Sequence, residues 1–179
     1  MGHLMLARSV VSQQKADEVW LMVSPQNPLK EVGELLPEKI RMRLAKKALD
    51  GIPHLCASDL ECRLPRPSYT YLTLRALRST YPDTLFSLLI GADNWLSFNR
   101  WVHTDEILAN HPIYIYPRPE YIVDESSLPQ GVCLLDSPLC PFSSTDIRRR
   151  IANGEDVSEM LPASVLEIIK KEKLYGCGV

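Results

Sequence analysis

Short apolar runs alternate with amphipathic segments along the chain, and this pattern predicts strands that alternate with helices. The apolar runs predict strands over residues 19–23, 54–61, 85–90, 113–116 and 132–135. Apolar residues at helical spacing predict helices from residue 2 and over 37–49, 69–81, 105–110, 147–153 and 163–173. This alternation is typical of parallel sheets with crossover helices. We therefore predict an α/β fold with a doubly wound parallel sheet, in a single domain over 1–179 with a C-terminal helical part at about 143–179.

Composition narrows the class of partner. The net charge of -2 gives no global field that would attract nucleic acid or a membrane, so any anion site must be local. The longest apolar stretches fall far short of the roughly 20 residues that cross a bilayer, and no secretory signal is recognised. The five cysteines are an odd set without CxxC spacing, which predicts free thiols and a cytoplasmic protein.

Glycines and polar residues cluster where predicted strands end and helices begin. Ligands of doubly wound sheets bind at that edge. The clusters lie at residues 2–3, 24–30, 91–93, 118 and 143–148. Because strand ends share one edge of the sheet, we predict that these clusters form one composite site.

The segment at 143–148 is the strongest candidate for an anion site. Its hydroxyls and helix-start amides can hold anionic oxygens, and the fork of Arg148 suits phosphate. The alternative is an ordinary helix cap followed by a solvated arginine face. Gly2 and His3 also begin a helix, where the alternative is a surface histidine.

Further candidates each have a competing structural role. Asp93 can meet a ribose or a metal, or it can cap the next helix. Lys30 can face the strand end, or its loop can be a plain proline turn. Trp101 can stack on a heteroaromatic ring, whereas we assign Trp95 to packing.

Read together, these segments resemble the bacterial nicotinate mononucleotide adenylyltransferases of the HxGH nucleotidyltransferase superfamily. The matching stretches are GHLMLA at 2–7, SPQNPLK at 24–30, PSYTYLTL at 67–74, LLIGADNW at 88–95, YPRP at 116–119, FSSTDIR at 142–148 and the closing 161–175. The resemblance implies a Rossmann-like fold and the transfer of AMP from ATP to nicotinate mononucleotide, giving deamido-NAD and pyrophosphate. It also implies Mg²⁺ with the ATP and no covalent enzyme intermediate.

The resemblance also implies roles for single residues. The catalytic residues it implies are His3 and Arg148. The implied ATP contacts are Gly2, His3, Gly91, Asp93, Arg118, Ser144, Thr145 and Arg148. The implied contacts to the mononucleotide are Asn27, Lys30, Tyr69, Thr70 and Trp101, with Trp101 stacked on the pyridine.

One departure from the family pattern concerns the beginning of the chain. The family normally begins with a strand and a GxFxPxHxGH turn, whereas this sequence begins at the final Gly-His. We therefore expect the first strand and the first motif histidine to be missing, through a late start codon or a shortened chain. A chain without them is expected to be weakly active or inactive, and restoring the upstream sequence should recover activity.

Several alternatives stay open at this point. A phosphopantetheine adenylyltransferase shares the histidine and serine motifs, although PSYT and Trp101 favour the pyridine nucleotide branch. One contact decides between nicotinate and nicotinamide mononucleotide. A non-catalytic nucleotide-binding module and assembly into a homo-oligomer also stay open.

Overall fold

The computed structural model describes residues 2–25 and 36–177, which contain five strands and seven α-helices. The strands are β1 (Val19–Met22), β2 (Leu55–Ser58), β3 (Leu88–Gly91), β4 (Ile113–Tyr116) and β5 (Val132–Leu134). The helices are α1 (Gly2–Ser12), α2 (Glu38–Leu49), α3 (Thr70–Thr80), α4 (Ala92–Leu96), α5 (Thr104–Asn110), α6 (Ser144–Ala152) and α7 (Ala163–Lys171). The predicted α/β fold class is confirmed.

The described chain forms two compact units. Unit A consists of residues 2–21, 36–58 and 140–177, and unit B consists of residues 22–25 and 59–139. Each unit is described below by itself, and the prediction of a single domain stays a prediction.

Unit B is built on a parallel sheet in the order β3-β4-β5. Leu88 pairs with Ile113, and Ile113 pairs with Val132, so the three strands begin in step. Ile113 and Ile115 on the middle strand are fully buried, and as alternate residues they lie on one covered face of the sheet, whereas Tyr114 and Tyr116 on the other face are partly buried. The carboxyl ends of β3 and β4 therefore meet at one edge, with Gly91 opposite Tyr116.

Unit A buries two apolar clusters. The larger one joins α2, α6 and α7 through Leu44, Ile151, Val157, Val165, Ile169 and Leu174. The smaller one joins α1, α2 and β2 through Leu4, Ala7, Leu49 and Leu55. β1 and β2 pair in a two-stranded sheet, and the Val19 amide donates to the His54 carbonyl just before β2. This packing positions the starts of α1 and α6 within the same unit.

Several predicted boundaries are wrong, and three of them have a clear physical reason. Strand β3 begins at Leu88 instead of Leu85, whose side chain is 75% exposed, because the ladder starts where the Leu88 amide donates to the Pro112 carbonyl. Strand β2 ends at Ser58 instead of residue 61, since Leu60–Arg63 forms a 3₁₀ turn. Helix α7 ends at Lys171 instead of Lys173, which has a left-handed φ of 51°.

Two other predictions about residue types can be checked in the described part of the chain. All five cysteines are free thiols, as predicted. None of the helices described here has the length and apolar character that crossing a membrane would require.

Candidate active site

The start of α6 in unit A carries a capped helix with exposed hydroxyls. Ser143 is the N-cap, and its Oγ accepts a hydrogen bond from the Asp146 amide at 3.1 Å. Ser144 and Thr145 follow as exposed residues of the first turn. A helix start favours an anion through its unpaired amides and its dipole. This turn can therefore hold phosphate oxygens, although the helix begins at Ser144 and not at the predicted residue 147.

The three consecutive arginines of α6 have different partners. Asp146 binds Arg149 at 2.6 Å and Arg150 at 3.0 Å, and these hydrogen bonds lower the pKa of the Asp146 carboxyl. Arg148 instead donates from Nη2 to the Thr145 hydroxyl at 3.0 Å, and no described carboxylate forms an ion pair with it. The alternative of an ordinary helix cap followed by a solvated arginine face stays open, since Ser143 caps the helix and the three arginines are all at least partly exposed. Arg148 keeps an uncompensated positive charge beside the helix start.

The start of α1 lies in the same unit as α6. Gly2 and the exposed His3 form the first turn of α1, as predicted. A Cβ added to Gly2 would lie 2.7 Å from the Cys140 Sγ, so the helix start packs closely on the segment that leads into α6. Unit A thus brings the predicted phosphate-binding segments at 2–3 and 143–148 into one neighbourhood.

Unit B gathers the predicted ribose and adenine residues at the carboxyl edge of its sheet. Gly91 ends β3, Asp93 lies in the first turn of α4, and Arg118 follows β4. The Arg118 Nε is 2.9 Å from the Asp93 Oδ1, an ion-pair distance, yet its N–H is not aimed at an acceptor. A Cβ at Gly91 would collide with Asp93, Arg118 and Tyr116. Glycine is therefore needed for this close approach.

Arg118 is held by two neighbours. Its Nη2 donates to the Tyr116 hydroxyl at 2.9 Å, and its guanidinium lies 5.3 Å from the Tyr116 ring centroid. Burial alone would lower the pKa of Arg118, but the Tyr116 hydrogen bond and the Asp93 charge outweigh it and raise the pKa. Arg118 is therefore a fixed cation that is already paired with a carboxylate.

A row of three aromatic side chains begins in α4 and continues beyond its end. The Trp95 and Phe98 rings stack at 5.2 Å between centroids, and Trp101 lies 5.3 Å beyond Phe98. Trp101 is half-buried, and its indole Nε1 has no acceptor among the described residues. Trp95 has the packing role assigned from sequence, while Trp101 lies at the end of the row.

The start of α3 presents Tyr69 and Thr70. Tyr69 is the N-cap residue, and no side chain caps the helix. The Tyr71 ring lies 6.1 Å from Tyr69 and 4.3 Å from His103, which connects this helix start with the chain just after Trp101. The predicted pyridine-binding segments are thus neighbours in unit B.

Asn27 and Lys30 lie outside the described residues. Their predicted roles, and the convergence of the unit A and unit B residues on one site, stay predictions.

One other feature of unit B lies apart from the candidate segments of that unit. A cleft of about 740 Å³ in unit B lies at the amino ends of β3 and β4, lined among others by Arg78 and His111. Arg78 hydrogen bonds to Asn110 and lies in the last turn of α3, where a cation complements the helix dipole. Among the described residues, no group of three or more His, Cys, Asp or Glu side chains could hold a metal ion.

Comparison with known proteins decides the family. The sequence profile of the Cytidylyltransferase-like family matches residues 1–150. The chain belongs to this family. Among its curated relatives, a protein of Bacteroides fragilis named "Probable nicotinate-nucleotide adenylyltransferase" is 44% identical over 96% of this chain and 86% of its own length. A protein of the same name from Flavobacterium johnsoniae is 37% identical over 98% and 92%. The resemblance found in the sequence is confirmed.

Solved structures share the cytidylyltransferase-like fold of the chain. The nicotinic acid mononucleotide adenylyltransferase of Plasmodium falciparum, solved in complex with NaAD, superposes with a TM-score of 0.77. The two sequences are 17% identical, and the superposition covers 97% of this chain and 89% of the Plasmodium falciparum chain. A nicotinate-nucleotide adenylyltransferase structure from Vibrio parahaemolyticus, described as putative, gives 0.67 at 24% identity, covering 96% and 87%. These likenesses confirm the Rossmann-like fold.

Sequence reasoning missed two residues that shape the candidate site. Tyr116 holds Arg118 and lies opposite Gly91 in the sheet, and no sequence signal could have found this because the register is set by strand pairing. Glu61 is 8% exposed and accepts a hydrogen bond from Thr73. A glutamate beside Asp59 and Arg63 in the sequence gives no sign of burial, because charged residues there are normally exposed.

Proposed function

We propose that this protein transfers the adenylyl group of ATP to nicotinate mononucleotide, giving deamido-NAD and pyrophosphate in NAD biosynthesis. The observation that carries this proposal is the 44–45% identity to nicotinate-nucleotide adenylyltransferases across 96% of the chain. The arrangement of paired and unpaired charges in the two units supports it.

The reaction is an in-line displacement. A phosphate oxygen of the mononucleotide attacks the α-phosphorus of ATP, and the bond to pyrophosphate breaks. Because no enzyme nucleophile takes part, catalysis consists of positioning and of neutralising charge on the phosphate oxygens. In unit A, Arg148 and His3 are the donors to the triphosphate, and Ser144 and Thr145 hold its oxygens at the start of α6.

Unit B holds the nucleoside of ATP in this proposal. The Asp93 carboxylate accepts hydrogen bonds from ribose hydroxyls, and Gly91 lets the ribose approach the backbone. Arg118 lies beside the adenine. A ribose is neutral, so it can bind next to the Asp93–Arg118 pair without adding charge to that neighbourhood.

The mononucleotide binds at the start of α3. Trp101 stacks on the pyridine ring, and the amides at Tyr69 and Thr70 face its substituent. An uncapped helix start favours an anion, which supports a carboxylate in preference to an amide. Asn27 and Lys30 contact the reacting phosphates.

Mg²⁺ accompanies ATP in this proposal. Mg²⁺ commonly keeps several waters and binds through substrate phosphates and one or two carboxylates. In that mode the phosphates of ATP would hold the ion, and the protein would not need a dedicated ligand cluster. When bound, the ion supplies further neutralisation of phosphate charge. We place the enzyme in the cytoplasm, where its substrates occur.

The test is a pyrophosphate-release assay with ATP and each of three acceptors: nicotinate mononucleotide, nicotinamide mononucleotide and phosphopantetheine. We expect nicotinate mononucleotide to be used with the highest kcat/KM. Trp101→Ala should raise its KM by about tenfold, the worth of one stacking contact, while the matched Trp95→Ala control should change it little. The assay is run on this chain and on a form with the upstream sequence restored. If the melting temperature of both rises with ATP but neither releases pyrophosphate, the protein is a nucleotide-binding module and the proposal is wrong.

A further inference from the structure

Glu61 is a buried carboxylate near the proposed mononucleotide site. It is 8% exposed, and its hydrogen-bond partner Thr73 is 4% exposed. Among the described residues, only these two and His111 are buried polar or charged side chains. Charged groups are almost never fully buried unless they are paired, so the position of Glu61 needs a physical reason.

The contact joins two elements of unit B. Glu61 lies in the 3₁₀ turn Leu60–Arg63, and Thr73 is the fourth residue of α3. The Thr73 hydroxyl donates to the Glu61 Oε1 at 3.0 Å. The second oxygen, Oε2, is buried without a hydrogen-bond partner. The carboxylate is therefore held through a single hydroxyl.

Thr73 belongs to the turn that carries Tyr69 and Thr70. The Leu72 amide donates to the Tyr69 carbonyl at 3.0 Å, and the Thr73 amide does so at 3.4 Å. No side chain caps this helix. The hydrogen bond between Thr73 and Glu61 is therefore a side-chain contact that ties the first turns of α3 to the preceding chain.

A purely stabilising role explains the contact poorly. A buried polar atom without a partner costs about 1–3 kcal/mol, and an apolar pair of similar shape would avoid that cost. Among the described residues, the other buried atoms without a partner are the Ser68 Oγ, the Trp101 Nε1, the Arg118 Nε and the Ser137 Oγ. The first two lie on or directly beside segments that the proposed function assigns to the mononucleotide. Unsatisfied groups of this kind call for a functional explanation.

We propose that Glu61 is a positioning residue, which fixes the first turn of α3 through the Thr73 hydroxyl and thereby orients Tyr69 and Thr70 toward the pyridine mononucleotide. This inference rests on the proposed function. Because the inference concerns binding of the mononucleotide, its effect on KM for the mononucleotide can be measured separately from any effect on KM for ATP.

The experiment compares Thr73→Val, Thr73→Ser and Glu61→Gln in the full chain. Thr73→Val removes the hydroxyl at nearly constant shape, Thr73→Ser keeps it, and Glu61→Gln keeps an acceptor for it. Thr80→Val is the matched control, because its exposed hydroxyl on the same helix bonds only to the Ala76 carbonyl. KM for each substrate and kcat are measured separately, well below the melting temperature of each variant.

We expect Thr73→Val to raise KM for nicotinate mononucleotide by about tenfold while KM for ATP and kcat stay within about twofold. Thr73→Ser and Glu61→Gln should stay near the wild type, as should Thr80→Val. If Thr73→Val does not fold, Thr73→Ala removes the same hydroxyl and serves in its place.

Three results would overturn the inference while leaving the proposed function intact. They are an unchanged KM for the mononucleotide in an active Thr73→Val enzyme, an equal rise in both KM values, and a Thr73→Ser variant as impaired as Thr73→Val. A wild-type protein without adenylyl transfer would instead contradict the proposed function itself.

Discussion

The two units treat their key arginines in opposite ways. In unit A, Arg148 bonds only to the Thr145 hydroxyl among the residues that the structure describes, and its charge is open beside the start of α6. In unit B, Arg118 lies 2.9 Å from the Asp93 carboxylate and also binds Tyr116. An open cation beside a helix start recognises an anion, whereas a closed ion pair recognises neutral groups by hydrogen bonding. The difference suits an anionic ligand group in unit A and a neutral ligand group in unit B.

The largest effect should come from removing the open charge in unit A. We expect Arg148→Ala to lower kcat/KM for pyrophosphate release by about 10²–10³, the usual loss of one transition-state donor. Arg149→Ala should stay within about threefold, because Arg149 is paired with Asp146. Equal losses in the two variants would remove the distinction between open and paired arginines.

The next largest effect should come from placing a side chain against the Asp93–Arg118 ion pair of unit B. Gly91→Ala places a methyl group against Asp93, Arg118 and Tyr116, all of which must shift. We expect KM for ATP to rise by about 10–100-fold and the free energy of unfolding to fall by about 1–3 kcal/mol. KM for the mononucleotide serves as the internal control. An unchanged KM for ATP would show that the tight contact has no part in nucleotide binding.

A smaller effect is expected from opening the pair itself. Asp93→Asn should raise KM for ATP by about tenfold through the weaker acceptor for ribose hydroxyls. Both partners are about one-third exposed, so the free energy of unfolding should change by at most about 1 kcal/mol. Asp105→Asn, an exposed carboxylate of the same unit, is the control. A large loss of stability with unchanged kinetics would make Asp93 a structural residue.

The smallest effect concerns the carboxylate that neutralises the other arginines of α6. Hydrogen bonds from Arg149 and Arg150 lower the pKa of Asp146 in the folded state. The resulting stabilisation is present above the unfolded pKa of about 4 and is lost as the pH falls through the lowered folded value. The free energy of unfolding, measured with urea between pH 5 and about 3, should therefore fall less steeply with decreasing pH for Asp146→Asn than for the wild type. Parallel slopes would contradict this assignment.

The sequence predicts the elements of the candidate site well and their contacts poorly. Gly91 and Asp93 are correctly placed at a strand end, because a glycine that follows an apolar run is a local signal. The ion pair of Asp93 with Arg118 depends on the register between β3 and β4, which no local pattern records. The burial of Glu61 escapes prediction because its partner Thr73 lies in another element, and a glutamate beside Asp59 and Arg63 is normally exposed.

The wrong strand boundary has a similar origin. Leu85 continues the apolar run of β3 but is 75% exposed, since hydrophobicity does not show where the ladder begins. Asp146 pairs with Arg149, three residues further along the helix, and not with Arg148. A run of three arginines in the sequence does not show which of them a carboxylate will pair with.

The interrupted path of the chain through unit A has a consequence during synthesis. Unit B is formed almost entirely by one continuous stretch, residues 59–139, whereas unit A is incomplete until residues 140–177 have been synthesised. Domains fold progressively as the ribosome delivers them, and contacts between distant parts of the chain form late. The ribosome therefore releases the helix that carries Arg148 only after all of unit B, and a nascent chain halted before residue 140 would have the residues proposed to bind the nucleoside without the arginine proposed to bind phosphate.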